Sequence, residues 1–133
     1  MPKRSSLVPP AMIQPLLDSD SRLGILHAGG PAPGGNQVLY AACLRAKDHG
    51  LPMVGFKQGY HHLISNTAEE VASDWSCVVG KEEIRYLRDQ VSLLVGSGRA
   101  NPGRQIRCVA DLGDPERSRP IAHVVEVLDE MRI

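Results

Sequence analysis

The stretch between Leu23 and Phe56 constrains this chain more than any other: an apolar run, a loop of glycine and proline, an amphipathic segment and a second apolar run follow one another without interruption. Leu23-Gly24-Ile25-Leu26 is short, apolar and ends at a glycine cluster, the pattern of a buried parallel strand. In Gly29-Gly30-Pro31-Ala32-Pro33-Gly34-Gly35-Asn36, six of the eight positions are Gly or Pro, so this segment is a turn or loop. A helix is predicted over about 35–49, with Val38, Leu39, Ala42 and Ala46 near one face. Arg45, Lys47 and His49 fall in its last turn, where the negative end of the helix dipole favours cations, and Gly50 is a natural stop. Leu51-Pro52-Met53-Val54-Gly55-Phe56 reads as the next strand, with Pro52 tolerated at its start. Strand, glycine loop, helix and strand make a βαβ crossover, which is nearly always right-handed and belongs to a parallel sheet.

The rest of the chain extends that alternation. Residues 1–21, rich in Ser and Pro, read as an irregular leader. Helical pieces are predicted at 67–74 and 81–88, and Val91-Ser92-Leu93-Leu94-Val95 as a third strand. A second glycine loop, Gly96-Ser97-Gly98-Arg99-Ala100-Asn101-Pro102-Gly103, follows it. A last helix is expected to be capped by Ser118, with Pro120 in its first turn and Ile121, Val124, Val125 and Leu128 at i, i+3, i+4 and i+7. The expected fold is therefore α/β: an incomplete, doubly wound, Rossmann-like three-layer domain over 22–133, with about three parallel strands and an exposed sheet edge. In such an alternation a further strand is due at Met131-Arg132-Ile133.

Composition removes several classes of function. Lys+Arg and Asp+Glu are 15 each, so there is no net charge to mark a nucleic-acid or anionic-membrane surface. Five aromatic residues are too few for a base-stacking platform. No run of 18 apolar residues is present, and prolines at 9, 10 and 15 interrupt any secretory-signal core. Cys43, Cys77 and Cys108 cannot all pair and show no C-x-x-C spacing, which suits reduced thiols and a cytoplasmic protein.

Both glycine loops follow a predicted strand, and ligands of an open parallel sheet sit outside the carboxyl ends of its strands. The first loop opens a helix, whose free N–H groups and positive dipole end favour an anion. Glycines let the backbone approach phosphate oxygens without a Cβ clash. Arg99 in the second loop supplies a planar donor suited to phosphate. Two known fingerprints are absent. Gly35-Asn36 stand after Gly34 where a P-loop needs Lys and Ser/Thr, and no G-x-G-x-x-G occurs. Spacing alone leaves two readings open, a phosphate loop or a tight turn of an ordinary α/β domain.

Beyond spacing, Leu23 to Asn36 resembles the opening strand and G-G-x-x-P-G-x-N loop of the phosphofructokinases. Val54-Gly55-Phe56-Lys57-Gln58-Gly59-Tyr60 resembles that family's second strand and its G-Y or G-F turn, and Gly96-Ser97-Gly98-Arg99 its G-[ST]-[SA]-R loop. The three motifs occur in family order over about 22–133. The resemblance implies that Gly29, Gly30, Tyr60 and Arg99 contact the phosphoryl donor, ATP or pyrophosphate. It implies Mg2+ for the full-length family, handled by a G-G-D segment, and a catalytic base in a T-x-D-N-D segment. Both would lie beyond Ile133, so no catalytic or metal-binding residue is assigned here and little turnover is expected of this chain alone. The enzyme family phosphorylates the C1 hydroxyl of fructose 6-phosphate. This chain would meet that sugar only if completed by the missing part, as an oligomer or with a complementing chain. The alternative is a non-catalytic module that keeps the phosphate loops.

Other residues receive plainer readings. His61-His62 are adjacent and so point apart, which suits a solvated loop better than a metal pair. Cys43 reads as a small core residue, Cys77 and Cys108 as inert thiols, and Trp75 as a packing anchor. Glu69-Glu70 and Glu82-Glu83 read as helix-start charges facing water.

Overall fold

A computed structural model describes residues 20–30, 33–80, 85 and 95–133. β1 (Leu23–Ile25) leads to α1 (Gly35–Asp48) and back to β2 (Met53–Phe56). β1 and β2 are parallel neighbours, with Leu23 opposite Met53 and Ile25 opposite Gly55. The βαβ unit predicted from the sequence is thus present. The end of α1 is closed by Gly50 N–H to the Lys47 carbonyl at 3.0 Å and Leu51 N–H to the Ala46 carbonyl at 2.9 Å. These are the two reversed bonds that a glycine just past a helix end permits, and Gly50 supplies the positive φ of 70°. The buried stripe of α1 is Asn36, Leu39, Cys43 and Ala46, so Val38, assigned to the core face from spacing, instead faces solvent.

All four residues of β2 are buried, as befits a strand covered on both faces. Period-two alternation then divides the interior. Met53 packs with Leu39, Cys43, Ala46, Val79 and Val95 on the α1 side. Val54 and Phe56 pack with Leu63, Val71, Val124, Val127 and Met131 on the other. Those residues come from the turn after β2, from α2 (Ala68–Asp74) and from α3 (Pro115–Glu130), which gives the expected three layers.

β3 (Ser76–Val78) lies on the free edge of β2 and runs antiparallel to it, with Gly55 opposite Cys77. Among the described residues the sheet is therefore mixed, in the order β1-β2-β3, rather than made of parallel strands throughout. Three residues are too few for an alternating pattern to register in the sequence. The Lys57 amide bonding the Trp75 carbonyl and the Val79 amide bonding the Met53 carbonyl extend the ladder at either end. The strand predicted at 91–95 falls outside the described residues except for Val95, as do the helix at 81–88, apart from residue 85, and most of the leader at 1–21.

The predicted 67–74 helix is α2, started by a capping box. Thr67 Oγ1 accepts from the Glu70 amide, and Glu70 Oε2 accepts from the Thr67 amide at 2.9 Å. α3 begins a turn earlier than Ser118. Asp114 is its cap, accepting from the Glu116 amide at 3.0 Å, with Pro115 at its first position. Pro120 consequently lies inside the helix. A 3₁₀ turn over Val109–Gly113 precedes it, where Asp111 accepts from the Arg107 and Cys108 amides and pairs with Arg117 at 2.6 Å. The face that α3 buries is Val124, Val127 and Met131, while Val125 is exposed. Beyond the helix, the Arg132 carbonyl accepts from the Arg22 amide at 2.9 Å, beside β1. No helix among the described residues is long and apolar enough to cross a membrane.

Candidate functional site

Three segments meet at the carboxyl ends of β1 and β2. The first leaves β1 through Ala28, Gly29 and Gly30. Ala28 makes a parallel bridge to Gly98, and the Gly29 amide donates to the Gly98 carbonyl at 2.8 Å. The second leaves β2 through Lys57, Gln58, Gly59 and Tyr60. Gln58 and Gly59 are both left-handed, with φ of 60° and 61°, and the Gln58 amide bonds the Val95 carbonyl at 2.8 Å. The third is the loop Gly96–Gly103. A β-carbon on Gly98 would overlap the Gln58 carbonyl oxygen, so only glycine lets the second and third segments approach this closely. Gly29 has φ of 106°, a conformation that side-chain-bearing residues rarely adopt.

The space enclosed is an open pocket of about 480 Å³ lined by Ala28, Gly29, Gly30, Tyr60, Gly98, Arg99, Ala100 and Asn101. The four residues singled out from the sequence, Gly29, Gly30, Tyr60 and Arg99, line this one pocket. Ala28, Ala100 and Asn101 were not foreseen. The turn signal Asn101-Pro102-Gly103 marked a bend but not a lining residue. Five of the eight lining residues carry no side chain beyond a methyl group, so Tyr60, Arg99 and Asn101 supply the only larger side chains of the lining. Arg99 is exposed and is the single charged residue in the lining, where no carboxylate opposes it. The arrangement suits an anion: main-chain amides, one guanidinium and one phenol, in a place where a negative group meets no like charge.

Two sequence expectations change. No residue of α1 lines the pocket, so among the described residues the anion-favouring surface comes from the loops after the strands rather than from the start of that helix. Asn36, the last residue of the first motif, is buried at 3% exposure. The His61–His62 pair is not simply a solvated loop. The His62 ring stacks on Trp75 with centroids 3.4 Å apart, and His61 meets it edge-on at 4.8 Å. Burial, and then the neighbouring His61, push the His62 pKa below its ordinary value. Trp75 is thereby a packing anchor, as expected. No three His, Cys, Asp or Glu side chains converge among the described residues, and the pocket lining offers no oxygen ligand of the carboxylate kind. These residues do not fit a magnesium site, and no step is derived through one.

A strand–loop–helix–strand unit with two glycine loops meeting at one pocket defines an α/β protein with a cavity at the carboxyl end of its sheet. The comparison with known proteins gives that class its family. The Phosphofructokinase family profile matches residues 22–131, and this chain belongs to that family. Among curated relatives, a pyrophosphate–fructose 6-phosphate 1-phosphotransferase from Thermotoga maritima is 30% identical over 83 residues, which are 62% of this chain and 19% of that protein. ATP-dependent 6-phosphofructokinase 3 of Bacteroides thetaiotaomicron is 26% identical over 95 residues, 71% of this chain and 26% of that protein. An ATP-dependent 6-phosphofructokinase from Aquifex aeolicus is 49% identical over 43 residues, 32% of this chain and 13% of that protein. The chain spans about a fifth of the length of the Thermotoga relative.

Proposed function

We propose that this chain supplies the phosphoryl-donor site of a phosphofructokinase, and that the pocket between the two glycine loops holds the terminal phosphates of ATP or pyrophosphate. The observation that carries the reading is the Gly29–Gly98 hydrogen bond, which brings Gly30, Tyr60 and Arg99 to one cavity without an opposing carboxylate. Gly30 would offer a main-chain donor to the phosphate oxygens, Gly29, its amide committed to Gly98, a backbone that they can approach without meeting a β-carbon, Arg99 a bidentate guanidinium, and Tyr60 its hydroxyl. Transfer to the C1 hydroxyl of fructose 6-phosphate needs a base and a charge-neutralising metal as well as positioning. On this reading both come from elsewhere in the protein, whether in the same polypeptide, an oligomer or a complementing chain, and this segment contributes the grip on the donor. The same reading puts the protein to work in the cytoplasm, and an odd number of cysteines with no C-x-x-C spacing supports that.

Calorimetric titration of the chain with pyrophosphate and with ATP tests the proposal. Saturable binding of either one, weakened by replacing Arg99, is the expected result. An absence of heat with both donors, under conditions where the chain is folded by circular dichroism, would dismiss it.

A further inference from the structure

We propose that Asn101 is a further donor to the phosphate-type anion in this pocket, acting through Nδ2, and that the turn it begins holds the amide in the orientation needed. The inference rests on the phosphate reading of the pocket. Asn101 lines the cavity beside Arg99. Its Oδ1 accepts from the Gly103 amide at 2.9 Å, and its own carbonyl accepts from the Arg104 amide at 3.2 Å. Because a main-chain N–H can be met only by an acceptor, the Gly103 bond fixes which end of the side-chain amide is oxygen. Pro102 has no N–H, so Gly103 is the first amide after Asn101 that can claim the oxygen. With Oδ1 committed, Nδ2 is the polar atom left to the site, and it takes up no hydrogen bond among the described residues. It can donate but not accept. A group of that kind favours ligands whose exposed atoms are all acceptors, as the oxygens of an ionised phosphate or pyrophosphate are.

Three variants separate donation from turn-building. Asn101→Asp and Asn101→Ser both keep an oxygen able to accept from Gly103 and both lose the NH2 group; the serine hydroxyl can still donate, but only from the oxygen bonded to Gly103 and not from the position of Nδ2. Asn101→Ala loses both. The expected result, with pyrophosphate as the probe, is that Asn101→Ser weakens binding several-fold and Asn101→Asp at least about tenfold, while both melt like the wild type. Asn101→Ala should weaken binding and also lower the melting temperature. Pyrophosphate affinity of Asn101→Ser equal to that of the wild type would overturn the inference, even if Asn101→Asp were weakened, because repulsion by the new charge would then explain the latter. Arg99→Ala serves as the reference. If the wild type binds, Arg99→Ala does not, and Asn101→Ser binds normally, the Asn101 assignment alone fails. If the wild type binds no pyrophosphate, the pocket reading fails and takes this one with it.

Discussion

The amide of Gly29 donates to the carbonyl of Gly98 at 2.8 Å, so the loop that leaves β1 is tied to the loop that carries Arg99. Neither loop could form the pocket alone. The bond also makes the site sensitive to backbone geometry at a few positions and tolerant elsewhere, which the following expectations use.

Arg99 is exposed, and its guanidinium is the one formal charge in the pocket lining. Replacing it with alanine should therefore cost little stability and much affinity. Loss of hydrogen bonds from a charged group corresponds to about 1.5–3 kcal/mol, or roughly ten- to a hundredfold in pyrophosphate affinity. Arg99→Lys should fall between, because an ammonium keeps the charge and loses the fork. Calorimetry and thermal melts on the same samples check both. A melting temperature that falls in step with affinity would mean that Arg99 props the loop instead.

Gly98 and Gln58 press together with no room for a β-carbon on the glycine. Gly98→Ala should destabilise the domain by about 1–3 kcal/mol and disturb the pocket, since backbone rather than a flexible side chain must move. Gln58 presents the opposite case, a non-glycine residue at φ of 60°. Gln58→Gly should stabilise the turn, by up to about 1 kcal/mol, by relieving a left-handed conformation. Urea midpoints of the two variants should move in opposite directions from the wild type.

Acid should loosen the start of α2 and the 3₁₀ turn before it unfolds the core. The Thr67 amide, aided by the Thr67 hydroxyl and Asn66, holds the Glu70 carboxyl below its ordinary value of 4.5. The Arg107 amide, with Cys108 and Arg117, holds Asp111 below 3.8. A carboxyl whose folded pKa is depressed stabilises the fold above the unfolded pKa, and that contribution is lost as pH falls through the folded value. The acid limb of stability should begin below about pH 4.5 and be shallower in Glu70→Gln. Separately, Thr67→Ala should cost about 1 kcal/mol at neutral pH through loss of the α2 cap.

Burial, and then the nearby Cys77, push the Cys43 thiol up to about 11. A group whose folded pKa is raised stabilises the fold below its unfolded pKa of 9.0 and loses that contribution as pH rises towards 11. Stability should therefore decline over that alkaline interval, and less so in Cys43→Ala. With a thiol reagent at pH 8, exposed Cys108 should react first and Cys43 only on unfolding, because the thiolate is the nucleophile. Mass spectrometry of partly labelled protein reads this order directly.

The sequence announced the βαβ unit because its signals were long and mutually consistent: an apolar run, punctuation by glycine, a helix with a basic last turn, and Gly50. It announced the site through three motifs, and Gly29, Gly30, Tyr60 and Arg99 do meet in one pocket. What stayed hidden was local and short. β3 has three residues and pairs through its backbone, so its side chains carry no period. The sequence pattern places the start of α3 at Ser118, because Pro120 suits a first-turn proline. Asp114 and Pro115, braced by Asp111 and Arg117, offered an earlier and better start. Asn101 was invisible because its place in the lining depends on a turn closing back on Gly103, which no residue pattern expresses.

A lining with so few side chains beyond a methyl group has one more consequence. Ala28, Gly29, Gly30, Gly98 and Ala100 offer almost no side-chain chemistry to vary, and a β-carbon added at Gly98 displaces backbone. Divergence in what such a recess accepts must then come through shifts in loop path, or through Tyr60, Arg99 and Asn101. A lineage could drift widely in the surrounding helices and still keep the same small mould.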